Sequence, residues 1–229
     1  MRYAHASARK RMKHPNLYLI GLTGGIACGK STVLAMLAAL GARTIDADRV
    51  THRVQQPGTP VYKQIVAAFG PQVALSPGGP IDRARLGAIV FSDPAALKRL
   101  EQIVHPAVHA EIRRFLEETG KAGGYGTRLG PLSRPVAVID AIKLIEAGWT
   151  QECDQVWIVT CPEEQQIERL ITTRGMSEAE ARQRIAAQPS QASRHAYATV
   201  VIDNGGSQAH TRAQVENAWQ KILNQIRAG

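Results

Sequence analysis

The sequence predicts an α/β protein with a mainly parallel sheet. Short apolar, β-branched runs with little alternation stand at 17–22, 43–46, 135–139, 155–160 and 199–202. Strands buried on both faces of a parallel sheet have this pattern. Helix-forming stretches separate the runs, so consecutive strands require crossovers, which are right-handed in such sheets. The first run also leads directly into a glycine-rich turn and then a helix.

That turn is Gly24-Gly25-Ile26-Ala27-Cys28-Gly29-Lys30-Ser31-Thr32, which fits the phosphate-loop pattern G-x-x-x-x-G-K-S/T without a mismatch. The helix behind it, 33–40, is rich in strong helix formers, with Gly41 as its C-terminal stop. Glycines let successive backbone N–H groups turn toward one centre, and the helix dipole adds positive potential there. Lys30 can reach the outer phosphates of a nucleotide, and the Ser31 hydroxyl can serve a magnesium ion. ATP and Mg²⁺ are therefore the expected cofactors. Cys28 needs only to be small; a helix N-terminus also lowers a thiol's pKa, so redox chemistry stands as the alternative to packing. The fold class is a P-loop NTPase-type parallel five-stranded sheet flanked by helices, with an inserted helical substrate-binding lobe and a helical lid.

Composition narrows the partners. The 229 residues can bury a core for one domain with a lobe, or for two small domains. Hydrophobic residues make up 44% and charged residues 21%, and no apolar run approaches the ~20 residues of a membrane helix. No membrane partner is expected. Arg2, Arg9, Lys10, Arg11 and Lys13 crowd the start without the apolar stretch of a secretory signal, so 1–16 reads as a basic flexible tail. Three cysteines, with no C-x-x-C pair, argue against a disulfide framework and against zinc, and point to a reducing cytoplasm. The net charge of +9 suits a polyanionic small ligand. Aromatics are only 5% and do not interleave with basic residues, so no nucleic acid is expected. A monomer or weak homo-oligomer is the expected state.

The chain divides around the strands. Residues 17–49 and 135–229 form the nucleotide-binding core, including a lid at about 163–190. Residues 50–119 hold no convincing strand and form the helical substrate lobe. There, Pro57-Gly58-Thr59-Pro60 opens a helix at 61–69, Asp93-Pro94 starts another, and His105-Pro106 begins a long one from 107 to about 118. Residues 120–134 are crowded with glycine and form an exposed flexible loop. The lid is a helix at 162–173, a break at Arg174-Gly175-Met176, and a helix started by the capping box Ser177-Glu178-Ala179-Glu180. A last helix runs from about 208 to 227.

Candidate chemistry gathers at strand ends, because ligands of open parallel sheets bind beyond the carboxyl ends of the strands. Asp46-Ala47-Asp48 follows the second strand, and either carboxylate could orient an attacking hydroxyl. Geometry alone does not choose between them. Val136-Ala137-Val138-Ile139-Asp140 is an apolar strand ending in Asp, which can hold magnesium through water. Arg169, Arg174 and Arg184 lie on or between the lid helices, and Arg174, beside the hinge glycine, is the favoured clamp on transferring phosphate. His105, with Arg83, Arg85, Arg113 and Arg114, could hold an anionic substrate in the lobe.

These segments resemble the dephospho-coenzyme A kinase family. The resemblance rests on Leu22-Thr23-Gly24-Gly25-Ile26 leading into Gly29-Lys30-Ser31-Thr32, and on Ile45-Asp46-Ala47-Asp48. It continues through Pro57-Gly58, Phe69-Gly70, Ile81-Asp82-Arg83 to Phe91, His105-Pro106, Arg184-Ile185-Ala186-Ala187-Gln188 and Val201-Ile202-Asp203-Asn204-Gly205, covering about 17–225 in order. It implies transfer of the γ-phosphate of ATP to the ribose 3′-hydroxyl of dephospho-coenzyme A, with magnesium. Asp48 then matches the catalytic aspartate, Asn204 lies near adenine, and Thr23 and His105 belong to the substrate side. One departure is Ile142-Lys143-Leu144, where the family has Pro-Leu-Leu; Lys143 could reach a substrate phosphate or extend to solvent. The alternatives are another nucleoside or nucleotide kinase, or a nucleotide-dependent switch; no guanine-reading Asn-Lys-x-Asp is present.

Overall fold

The computed structural model describes residues 13–122, 126–127, 130–131 and 134–228. Its strands are β1 (Tyr18–Gly24), β2 (Arg43–Asp46), the short pair β3 (Gly126–Thr127) and β4 (Gly130–Pro131), β5 (Val136–Asp140), β6 (Gln155–Thr160) and β7 (Val200–Asp203). Its α-helices begin with α1 (Lys30–Ala39), α2 (Ala47–Val54), α3 (Pro60–Phe69), α4 (Arg83–Ser92) and α5 (Pro94–Lys121). They continue with α6 (Glu163–Arg174), α7 (Glu178–Ala186), α8 (Gln191–His195) and α9 (Gln208–Ala228).

Five strands pair in parallel in the order β2–β5–β1–β6–β7. Alternate residues supply two cores, as the two-residue period of a strand requires. Tyr18, Ile20, Leu22, Val136, Val138, Trp157 and Val159 face α1 and α9, where Trp219, Ile222 and Leu223 are buried. Leu19, Ala137, Ile139, Val156 and Ile158 face the opposite way, onto the lobe α2–α5 and Leu144. Gly21 permits that second contact, since a Cβ there would lie 2.6 Å from Leu144 Cδ2. Asp154 fixes the entry to β1 by accepting from the amides of Lys13 and Leu19, each at 2.8 Å. The basic segment 1–12 lies outside the described residues.

The register levels the functional ends. Asp46 pairs opposite Asp140, and Leu22 also pairs opposite Asp140, so the second strand's carboxylate, the third strand's carboxylate and the start of the glycine loop share one edge. In the lobe, Asp82 and Asp93 cap α4 and α5 through their carboxylates.

Three expectations need correction. His105-Pro106 starts no helix: α5 runs through it for 28 residues. Pro106 forfeits one amide bond, to the carbonyl of the exposed Gln102, while the buried stripe Val104, Val108, Ile112 and Leu116 holds the helix on both sides. The interval before it contains α4, unread in the sequence. The glycine-rich segment is not all loop, because Gly126 pairs with Pro131 and Thr127 with Gly130; its other residues 123–125, 128–129 and 132–133 lie outside the described residues.

Where β1 meets β6, a Cβ on Gly24 would lie 2.6 Å from the Val159 carbonyl oxygen, and this backbone is held in the sheet. Gly24→Ala should therefore lower the unfolding free energy by about 1–3 kcal/mol, read as a fall in Tm. An unchanged Tm would show that the two strands can part without cost.

Candidate active site

The phosphate loop is shaped by two residues of positive φ, Ala27 (58°) and Gly29 (85°). Alternation of left- and right-handed residues is what turns neighbouring amides toward a common centre. Gly29 is obligatory on a second count, because a Cβ there would fall 1.9 Å from Asn204 Nδ2. Asn204 donates that amide to the Cys28 carbonyl at 2.8 Å. Arg169 donates to the Ala27 carbonyl at 3.1 Å and to the Asn204 carbonyl at 3.0 Å. The loop's carbonyls are thus bound from outside, which leaves the concave side to amides. Asn204, expected near adenine, here supports the loop itself. Cys28 is fully buried beside Cys161. The Cys161 thiol's hydrogen bond lowers the Cys28 thiol to about 7, with burial opposing and the Arg194 charge assisting.

Lys30 forms an ion pair with Asp140, which is nearly buried at the end of β5. Burial pushes the Asp140 carboxyl up, Lys30 pulls it down, and Asp46 and Asp48 push it up again. The two aspartates after β2 differ in structure. Asp46 is the N-cap of α2 and accepts from the Arg49 amide at 2.9 Å. Asp48 lies in the first turn of α2, not on extended backbone, and its side chain is free of such bonds among the described residues. Capping separates the pair that local sequence left equivalent. Asp48 keeps a solvent-reached edge, yet desolvation raises its carboxyl; Lys30 lowers it, Asp46 raises it, and His52 and Lys143 lower it. Both Lys30 and Lys143 thus act on the Asp48 carboxylate.

A cleft of about 610 Å³ opens beside these groups, lined by Ser31, Asp46 and Asp140 on the sheet side and by Arg49, Arg53 and Arg114 from α2 and α5. Ser31 and Asp140 bring two hard oxygen donors to one cleft, and this donor set fits magnesium, which takes its remaining positions from phosphate and water. Thr23 is not open to a ligand: it is fully buried and donates its hydroxyl to the Ile142 carbonyl at 3.1 Å, tying the end of β1 to the turn that carries Lys143. His105 is exposed in the middle of α5 and does not line this cleft. Arg174 ends α6 before Gly175 (φ 62°), exposed and without an ion pair among the described residues. Sequence reasoning missed Gln188 as a contact of the loop, its Oε1 accepting from the Ile26 amide at 3.0 Å, and it missed the buried Arg194. Gln188 had a signal, since it closes a motif; Arg194 had none, because burial of an arginine leaves no periodicity.

A glycine loop with its lysine, carboxylates on adjacent strand ends and a helical pair closing over the loop define a P-loop kinase-type protein. The family model described as dephospho-CoA kinase matches residues 18–210, and the chain belongs to that family. It is 50% identical over 202 residues to a dephospho-CoA kinase of Symbiobacterium thermophilum, covering 88% of this chain and 80% of that one. It is 45% identical over 205 residues to that of Geobacter sulfurreducens, covering 89% and 98%. Among solved structures, TT1252 from Thermus thermophilus aligns at TM-score 0.76 and 29% identity over 91% of this chain and 98% of that chain. The dephospho-CoA kinase from Campylobacter jejuni aligns at TM-score 0.63 and 26% identity, with coverage of 91% and 98%.

The raised Asp48 carboxyl has a consequence for stability. Its folded pKa lies above the ordinary 3.8, so the folded state holds the proton longer than the unfolded state, and stability falls as pH rises through that interval. Asp48→Asn removes the cost. The variant should unfold at higher temperature than the parent at neutral pH, and the gain should vanish below about pH 3.8, where both chains carry a neutral side chain. A neutral-pH Tm below the parent's would contradict this.

Proposed function

We propose that the protein transfers the γ-phosphate of ATP to the ribose 3′-hydroxyl of dephospho-coenzyme A, giving coenzyme A. The observation that carries this reading is Asp48 standing within electrostatic reach of the phosphate-loop lysine, in a chain of the dephospho-CoA kinase family. The loop amides hold the polyphosphate of ATP, and Lys30 leaves Asp140 for the outer phosphates. Asp48 accepts the proton of the acceptor hydroxyl as its oxygen bonds to phosphorus and ADP departs. Desolvation holds the Asp48 carboxyl above its usual range, and a carboxylate so held is a stronger base than a free one. Ser31 and Asp140 would hold Mg²⁺, which would supply positive charge against the phosphates.

The lobe 50–119 receives the substrate, His105 marking its outer part, while Arg174 swings with the lid 163–190 onto the phosphate. The three cysteines are free, which suits the cytoplasm. No described helix is long and apolar enough to cross a membrane.

A coupled assay of ATP consumption with and without dephospho-coenzyme A tests the reading directly: consumption should require the acceptor. In that assay Asp48→Asn should keep ATP affinity and lose roughly 10²–10⁴-fold in turnover. Near-normal turnover would remove Asp48 from the mechanism. Lys143 is exposed in the turn after β5 with its charge acting on Asp48, and it is assigned to a phosphate of the substrate. Lys143→Met should raise the KM for dephospho-coenzyme A, roughly 10-fold for one lost charged hydrogen bond, while the KM for ATP holds. An unchanged acceptor KM would return Lys143 to the solvent.

A further inference from the structure

Arg194, in the last turn of α8, is 5% exposed, which is unusual for a guanidinium. Buried charges are normally paired, since an unpaired one costs several kcal/mol. Arg194 has no carboxylate within ion-pair distance among the described residues. Glu163, which shares its pocket of about 450 Å³, pairs with Arg182. The hydrogen bond Arg194 does make goes from Nη2 to the neutral Gln188 Oε1, at 3.2 Å. That same oxygen accepts from the Ile26 amide of the phosphate loop at 3.0 Å. On its other side, Arg194 Nη1 approaches Gly25, lying 3.6 Å from where a Cβ would stand. A positive charge is therefore built in beside the phosphate loop, joined to it through one amide and paired with no carboxylate among the described residues, the Cys28 thiol being the titratable group on which it acts.

We propose that Arg194 is a cation of the phosphate site, left uncompensated by the fold so that the polyphosphate of a bound nucleoside triphosphate completes it, with Gln188 transmitting its position to the loop at Ile26. It acts as a positioning and electrostatic residue, not as one that touches the reacting atoms. The inference rests on the nucleotide-binding part of the function proposed above and is independent of the acceptor. Its signature is an inversion of the usual effect of removing a buried arginine. Without ligand the charge is a cost, so its loss is tolerated; with ligand the charge is a gain, so its loss is felt.

The test compares the parent with Arg194→Met and Arg194→Lys, in thermal unfolding without ligand and in calorimetric titration with ATP and with inorganic tripolyphosphate, no acceptor being present. Arg194→Met should unfold at or above the parent's Tm without ligand. It should bind ATP and tripolyphosphate more weakly by a common factor, roughly 10- to 100-fold. Arg194→Lys should recover most of that loss because it restores the charge. An Arg194→Met protein that fails to fold, or unfolds earlier than the parent with unchanged affinities, overturns the proposal by showing a structural role. Weakened ATP binding with unchanged tripolyphosphate binding also overturns it, since the effect would then lie at the nucleoside. A parent that binds neither ligand sinks the nucleotide-binding reading itself, whereas failure of the variants alone sinks only the role given to Arg194.

Discussion

The phosphate loop holds its shape because its carbonyls are bound from behind. Asn204, at the end of β7, reaches the Cys28 carbonyl, and Arg169 of α6 reaches that of Ala27. Thr211 in turn donates to Asn204 Oδ1 at 3.0 Å, so the amide that meets Cys28 is oriented from α9. Elements far apart in sequence thus converge on two carbonyls. The convergence leaves no room for a Cβ at Gly29, and it explains why the inner face of the loop presents donors. A loop of bare glycine would lose that preorganisation to backbone entropy. Here the cost is met by hydrogen bonds that exist before any ligand arrives.

Three carboxylates and one lysine share the edge of the loop. Asp46, Asp48 and Asp140 crowd one edge, and Lys30 is committed to Asp140. Burial first, and the neighbouring carboxylates after it, raise the carboxyls of Asp48 and Asp140 against the pull of Lys30. Such tension is the usual mark of a site whose missing charges come with the ligand. In the function proposed above, ATP would supply anions for Lys30, which would then leave Asp140.

Much of this arrangement was legible in the sequence. Buried parallel strands are continuous apolar runs, so all five sheet strands were found to within two residues. The loop motif and the Asp-Ala-Asp segment placed both sides of the site, because each carries its chemistry in local spacing. The lobe was read less well. Pro106 looks like a helix start, and only the tertiary stripe from Val104 to Leu116 shows that the helix continues past it. Thr23 looked available because its burial under the Ile142 segment is a long-range fact. Arg174 stands out in the sequence by its place at a hinge, whereas Arg169, which donates to the Ala27 carbonyl, is distinguished by a contact between residues far apart in the chain. Motifs record local geometry; the support of a motif is non-local.

The helix pair α6–α7 is held to the phosphate loop by a small set of contacts. Ile167, Leu170 and Ala181 form a small core of their own, against which Ile26 and Ala27 of the loop, Met176 and Ile185 pack. At about 1.5–3 kcal/mol for each large apolar side chain fully buried, and less for those partly buried, the contact with the loop contributes only a few kcal/mol. Its polar part is the Gln188–Ile26 hydrogen bond, worth about 1 kcal/mol net. These sums are comparable to what a ligand can add through differential contacts with two states. Gly175 at φ 62° separates α6 from α7, and a Cβ there would meet nothing within 4 Å, so the turn itself is open while Ala181 of α7 stays packed against Ile167 and Leu170 of α6. Because Ile26 and Ala27 belong both to the lid's core and to the phosphate loop, the lid cannot move without altering the surroundings of the amides that receive phosphate. The packing of α6–α7 and the shape of the phosphate loop are therefore coupled through Ile26 and Ala27 in this fold.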